Sequence, residues 1–483
     1  MMTPAVQPAA SLRKQAIKAL RDRQAPERAY WLKRGEFFHR EDLLYLKFLI
    51  PEGARVLELG CGTCDLLAAL KPSFGVGVDF SDAMIAEAKK AHPDLTFVSG
   101  DIENETVIQS LPGPFDVILI LDTLGSLDDC QRMLALLHPL CTRETRVVLG
   151  FFSHLWQPAL KVAEAAHLRM PQLPQNVLSP ADIQAIAALA DFEVIKSDLR
   201  ILCPIWLAGL GRVVNRFIAP LPGIRNLCLR HYAVCRSLSK IGSDVRSASV
   251  IIPARNERGN IEAAVQRMPR FTDDLEIIFV EGHSRDGTWE EIERVREAYP
   301  QLDIKTMRQT GKGKADAVYM GFDAARGDVL MILDADLTMP PEQLPKFWDA
   351  LHSGKGEFIN GSRLVYPMED GAMRFLNLIA NKMFSIMFTW LLSQRFTDTL
   401  CGTKVLRRSD YARLKKGRVY FGDFDPFGDF DIIFGAVKLN LKVAEIPVRY
   451  ASRVYGETQI SRFRHGFMLL KMVGFALLRI KAL

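Results

Sequence analysis

The chain is 483 residues long, 48% hydrophobic and 24% charged, which excludes a disordered protein and is too long for one ordinary core, so roughly two to four domains are expected. Its net charge of +6, from 62 Lys and Arg against 56 Asp and Glu, is too small an excess to argue for nucleic acid and suits phosphorylated ligands or an anionic membrane face. The eight cysteines lack a disulfide-framework spacing, and the N-terminal stretch has no apolar signal region, so a reducing, cytosolic setting is expected.

In chain order, an aromatic and basic stretch with Tyr30, Trp31, Arg34, Phe37 and Phe38 comes first. It reads as a helix that either lids a ligand or covers a sheet. Val56 to Leu59 is then expected as a strand, Gly60 to Cys64 as a tight turn, and Asp65 to Leu70 as the start of a helix, so that the backbone passes close to a ligand. The "CGTC" pair within this turn has no second pair at zinc-ribbon spacing, and the glycines around it explain it without metal or redox chemistry. Three more apolar runs end on acids: "FGVGVDFS" on Asp79, "LTFVSGDIEN" on Asp101 and "FDVILILDTLGSL" near Asp122.

This succession resembles the class I S-adenosylmethionine-dependent methyltransferases. Their first motif sets an acid before the glycine loop, here Glu58 ahead of Gly60 and Gly62, with Cys64 at the family's usual third glycine. The resemblance covers residues 28 to 155 and implies a Rossmann-like α/β domain that binds S-adenosyl-L-methionine. It further implies that Asp79 accepts hydrogen bonds from the two ribose hydroxyls and that Asp101 faces the adenine amine. Beyond it, "ILCPIWLAGLGRVVNRFIAPLPG" interrupts a closing strand pair, "FEVIKSDLRI" and "LCLRHYAVCRS", where an acceptor-specific cap is expected. The methyl acceptor is not readable.

The polar stretch Ser237 to Ser247 reads as a linker, which sets the expected organisation as a first domain over 1–240, a linker over 241–247 and a second domain over 248–483. The second half orders three buried strands with a ligand-facing turn after each, in "SVIIPARNERGNI", "EIIFVEGHSRDGTWEEI" and "GKGKADAVYMGFDAARGDVLMILDADL". If "VLMIL" is a central strand, the alternation of its side chains points Asp334 and Asp336 the same way at its carboxyl end, where α/β sheets bind ligands. The order resembles the inverting family 2 glycosyltransferases, with the GT-A nucleotide-diphospho-sugar fold. The resemblance implies that the first turn, with Pro253, Arg255 and Glu257, and the second, with Glu281 and Asp286, hold the nucleoside. It also implies that Asp334 and Asp336 hold magnesium or manganese against the sugar nucleotide's diphosphate, assisted by Lys312 and Lys314.

"RFTDTLCGTKVLRRSDY", and "YASRVYGETQISRFRHG" with Arg453 and Glu457, resemble the acceptor-side and closing motifs of dolichyl-phosphate and polyprenyl-phosphate sugar transferases. For a polyprenyl phosphate, Arg363, Arg374 and Lys382 are expected to orient the acceptor. For a hydroxyl acceptor, Asp398 is the expected base, with Asp429 and Asp431 behind it; otherwise Asp398 is a loop carboxylate fixing Lys404. In "MRFLNLIANKMFSIMFTWLLS", Arg374, Asn377, Asn381 and Ser385 recur at helical spacing among apolar residues, and the C-terminal "RFRHGFMLLKMVGFALLRIKAL" is similarly basic and apolar. Both suit an anionic bilayer surface, with a core helix as the alternative.

The expected protein is therefore a two-domain α/β fusion, cytoplasmic and peripheral on the cytoplasmic face of the membrane, that methylates and transfers a sugar to a polyprenyl phosphate. The alternative is transfer to a hydroxyl acceptor, with the first domain a non-catalytic scaffold.

Overall fold

The computed structural model describes residues 11–242, 244–366, 375–417, 429–456 and 462–482. It divides into two compact units, one of residues up to Ile241 together with the last residues from Lys481, the other from Gly242 to Ile480.

The first unit is built on seven strands: β1 (Arg55–Leu59), β2 (Phe74–Asp79), β3 (Thr96–Ser99), β4 (Val117–Leu121), β5 (Arg146–Phe152), β6 (Phe192–Arg200) and β7 (Arg230–Ser237). Their order is β3-β2-β1-β4-β5-β7-β6. The first five pair in parallel and β7 runs antiparallel to both neighbours. A parallel sheet covered on both faces needs strands apolar throughout, and β4, with the sequence VILIL, supplies Ile118, Leu119 and Ile120 at zero exposure.

One polar group is embedded in this unit. Arg230 of β7 is wholly buried, and its guanidinium grips Asp42 of the helix Glu36–Leu49 (Nε–Oδ1 3.1 Å) and also Asp122, just past β4. The Tyr232 hydroxyl donates to Asp42 as well.

The second unit repeats the scheme with β8 (Ser247–Ala254), β9 (Asp274–Glu281), β10 (Asp303–Arg308), β11 (Val329–Ile332), β12 (Phe358–Ser362), β13 (Lys404–Arg407) and β14 (Val443–Pro447). The order is β10-β9-β8-β11-β13-β12-β14, with β13 antiparallel to both of its neighbours. The strand order turns back between β8 and β11, and the carboxyl ends of strands at such a point are where α/β sheets take ligands.

The helix Phe375–Leu392 is the one expected at a bilayer surface or in a core. Its polar stripe faces inward, since Asn381 and Ser385 are buried, while Ile379, Met383 and Ile386 are exposed at i, i+4 and i+7. No helix among the described residues is long and apolar enough to cross a membrane.

Breaking a buried ion pair by removing one partner leaves the other charge uncompensated and costs about 3–5 kcal/mol. Asp42→Ala is therefore expected to lower the urea midpoint of the first unit's unfolding, with cleavage of that unit by limited proteolysis at denaturant concentrations where the native chain resists.

Candidate functional site

In the first unit the turn after β1 is left-handed three times over, at Gly60 (φ +78°), Gly62 (+53°) and Cys64 (+63°). Gly60 admits no side chain, because a Cβ there would lie 2.2 Å from the Thr123 hydroxyl oxygen. Cys64 holds the turn that a glycine would hold freely, at a strain of roughly 1–2 kcal/mol. Asp79, at the end of β2, ties the turn down: its carboxylate accepts from the N–H of Gly62 (2.9 Å) and of Ser81 (2.9 Å). Burial pushes its pKa up against those two bonds.

Glu58 is buried on β1, with the Cys64 thiol 3.9 Å from Oε2. Burial, joined by repulsion from Asp65 and Asp79, pushes it to about 8, so at neutral pH it is a protonated acid.

The helix Leu12–Gln24 brings cations to these strand ends, which the sequence reading missed. Lys14 Nζ bonds Asp101 Oδ2 at 2.6 Å and also reaches Glu103. Lys18 pairs with Asp82 (2.9 Å), and the Ser81 hydroxyl donates to Asp22. Arg28, lowered by burial, stands in the field of Asp65, Asp122, Glu58 and Asp79. The signal was present in Lys14, Lys18 and Arg21 at i, i+4 and i+7 on one helical face.

Asp101, expected to face an adenine amine, is thus occupied by Lys14 and by the N–H of Glu103 (3.0 Å). Of the two readings of the aromatic stretch, the sheet cover fits Phe38, which stacks on Phe152 with ring centroids 5.7 Å apart, while Tyr30 is exposed.

In the second unit the carboxylate pair is placed by a turn rather than by strand alternation. β11 ends at Ile332, and Leu337 N–H closes back on Asp334 C=O at 3.1 Å. Each carboxylate meets its own cation: Lys314 Nζ bonds Asp334 Oδ1 at 2.6 Å, and Arg453 Nη2 bonds Asp336 Oδ2 at 2.6 Å. Burial raises Asp334, but Lys314, with Lys404 and Arg363 behind it, more than reverses this and holds it below the usual carboxylate range. Arg453 also bonds Glu257 at 2.9 Å, joining the turn after β8 to the turn after β11.

Lys314 is therefore the lysine at the site, and Lys312 is exposed. Gly402 was overlooked. A Cβ there would sit 2.0 Å from Asp334 Oδ2, so the "CGTK" loop packs against that carboxylate only because position 402 carries no side chain.

The turns after β8 and β9 are stitched together. Asp286 accepts from Thr288 Oγ1 (2.5 Å) and from the N–H of Arg258 (3.2 Å), Ser284 N–H donates to Glu281, and Glu257 N–H donates to Thr288 Oγ1 at 3.0 Å. Asp286 and Glu281 shape these turns, with Pro253 on β8 and Arg255 just after it.

Asp398 overturns its expectation. It is fully buried and bonds Arg363 through Nε (2.7 Å), Nη2 (2.9 Å) and the backbone N–H (3.0 Å), with Leu400 N–H as a fourth donor (3.0 Å). Burial raises it, but the Arg363 guanidinium outweighs burial and holds it low. Its partner is Arg363, not Lys404, and four donors leave it no room to take up a substrate proton. Asp431 is likewise buried, against the Tyr319 hydroxyl (3.4 Å). Arg374, Glu457 and the side chain of Asp429 lie outside what the structure describes.

Residues 56–143 match the family model "Methyltransferase domain" and residues 249–414 the model "Glycosyl transferase family 2". The chain joins a methyltransferase domain to a family 2 glycosyltransferase domain. It is similar to the dolichol-phosphate mannosyltransferase of Pyrococcus furiosus, 32% identical over 236 residues, which are 47% of this chain and 64% of that protein. The dolichol-phosphate mannosyltransferase of Saccharomyces cerevisiae is 36% identical over 110 residues, 22% of this chain and 40% of that protein. The polyprenol monophosphomannose synthase of Mycolicibacterium smegmatis is 29% identical over 222 residues, 44% of this chain and 80% of that protein. The chain thus spans less than two thirds of the two dolichol-phosphate enzymes. The sheets described above are the methyltransferase-like and GT-A-like folds of the two domains.

The buried Glu58 of the methyltransferase domain sets a pH dependence. Its carboxyl ionises near the ordinary 4.5 when unfolded and at about 8 when folded, so between those values the folded state holds a proton that the unfolded chain has lost. Its contribution to stability is full below the lower value and is lost as pH rises through the upper, with a slope of at most about 1.4 kcal/mol per pH unit. Glu58→Gln is expected to flatten this fall, read as the first domain's denaturation midpoint across that pH range.

Proposed function

We propose that the glycosyltransferase domain moves a sugar from a nucleotide-diphospho-sugar to a polyprenyl phosphate with inversion, and that the methyltransferase domain uses S-adenosyl-L-methionine on a second group. The observation that carries the first reading is the meeting of Asp334, Asp336, Lys314, Arg453 and Glu257 at the carboxyl ends of β8 and β11. Relatives named for dolichol-phosphate and polyprenol-phosphate sugar transfer support it.

Asp334 and Asp336 offer hard oxygen donors that suit magnesium or manganese. Among the described residues no three His, Cys, Asp or Glu side chains group to hold a metal alone. A cation there would take its remaining ligands from the diphosphate. When bound, it would offset the charge that builds on the departing nucleoside diphosphate. Lys314 and Arg453, which neutralise the two carboxylates, are the cations that would meet diphosphate oxygens, and Gly402 leaves Asp334 the space it occupies.

The saturation of Asp398 favours a phosphate acceptor. A hydroxyl needs a base at neutral pH, whereas a phosphate monoester with a second pKa near ~6 arrives ionised. Arg363, fixed by Asp398, positions the acceptor side, and the outward stripe Ile379, Met383 and Ile386 suits the surface of an anionic bilayer. In the methyltransferase domain, Gly60, Gly62 and Asp79 are the residues we assign to the cofactor. That Cys64 keeps the left-handed turn argues against a scaffold that has lost its cofactor.

Asp334→Asn and Asp336→Asn should each abolish most sugar transfer to polyprenyl phosphate while leaving S-adenosylmethionine binding intact. Transfer that survives the double substitution or chelation would remove the metal from the mechanism. Asp79→Ala should weaken cofactor binding by about 1–3 kcal/mol through lost hydrogen bonds, and calorimetry showing no cofactor binding by the native chain would refute the methyltransferase reading.

A further inference from the structure

Between β6 and β7 the chain leaves the first unit's sheet at Arg200 and returns at Arg230, a register pair on adjacent strands. The excursion buries its two ends, at Ile201, Cys228 and Leu229, but leaves most of its large apolar residues uncovered. Ile205, Trp206, Leu207, Leu210, Val213 and Phe217 are each at least 50% exposed, a density of large apolar groups unusual on a solvated surface. Residues 201–229 include Arg212, Arg216 and Arg225 and not one Asp or Glu.

This is a built surface rather than a frayed loop. Asn215 pins it from inside: its side chain accepts from Cys203 N–H (2.8 Å) and donates to Cys203 C=O (2.8 Å) and to Glu41 (3.2 Å). Leu207, Ala208 and Gly209 take positive φ in succession, +44°, +52° and +94°, so the chain doubles over at the tip. Gly211 is buried beneath it, where a Cβ would lie 2.0 Å from the Ile205 carbonyl oxygen. Trp206 meets Phe37 edge-on with centroids 5.9 Å apart, and Arg40 stands 5.5 Å from both rings. Two adjacent side chains held in left-handed backbone, with apolar groups turned outward, mark a conformation kept for use.

We propose that this excursion is a docking face for an anionic bilayer, carried by the first unit itself. The charge pattern selects the occupant. Three arginines with no acid in their own segment, and with Arg40 beside the neighbouring Glu41 that faces Arg212, complement anionic headgroups, and tryptophan is favoured where headgroups meet acyl chains. A second copy of the chain on the same face would set those arginines against one another across a two-fold axis. The proposal holds whether or not the first unit methylates, so its failure and that of the catalytic reading are separable.

The test is hydrogen–deuterium exchange on the full chain, alone and with vesicles of phosphatidylcholine, with and without phosphatidylglycerol. Deuterium uptake across 205–218 should fall several-fold on the anionic vesicles and little on the neutral ones, and high salt should restore it. Leu210→Glu with Phe217→Glu should cancel the protection, as should Arg212→Gln with Arg216→Gln, while uptake in β1, β4 and β5 shows each variant still folded. Two results would overturn the proposal. One is unchanged exchange across 205–218 while the helix 375–392 becomes protected. The other is protection that appears without vesicles and grows with protein concentration, which would mark a second copy.

Discussion

Parallel strands gather carboxylates at one end of a sheet, and both units depend on how that negative charge is held. Two or more acids in a half-buried crevice cannot all stay ionised without compensation. The chain answers in different ways at different acids. Glu58 surrenders its charge, being pushed to about 8. Asp101 and Asp122 are paired with Lys14 and Arg230, and Asp334 and Asp336 with Lys314 and Arg453.

These cations differ in how permanently they are committed, and the difference separates fixed pairs from exchangeable ones. Arg230 is wholly buried between Asp42 and Asp122, and Arg363 is locked on a fully buried Asp398, so neither pair can open without exposing an uncompensated charge. Lys314 and Arg453 are themselves partly exposed, at 27% and 24% of their side chains. Ligand anions or metal cations can exchange with such partners at far lower cost. The exchangeable pairs lie at the Asp334–Asp336 turn, which is where chemistry needs charge to move.

Much of this was legible in the sequence, because it is local. β1, β4, β8 and β11 read directly as apolar runs, and the Gly60–Cys64 turn and the Asp334–Asp336 pair follow from residues a few positions apart. What was illegible is long-range. The Arg230–Asp42 pair spans 188 positions, and Asp398 chose Arg363, 35 positions away, over the nearby Lys404. For the helix 375–392 the sequence left a bilayer surface and a core both open, because spacing alone does not say which face is covered; Asn381 and Ser385 are buried, while Ile379, Met383 and Ile386 are exposed.

The excursion between β6 and β7 follows the same logic. Its sequence alternates prolines, glycines and large apolar residues, and by pattern alone that is a cap over a substrate. Only the backbone shows which way it faces. With Asn215 satisfied inside, Gly211 packed against Ile205 and Trp206 against Phe37, Leu210 and Phe217 are still at least 50% exposed. A cap spends its apolar residues on the pocket it closes, whereas here they are left over once the loop has folded. Both the helix 375–392 and this excursion expose large apolar side chains, and the excursion carries arginines without acids. In each case the arrangement is costly in water and favourable at the surface of a bilayer.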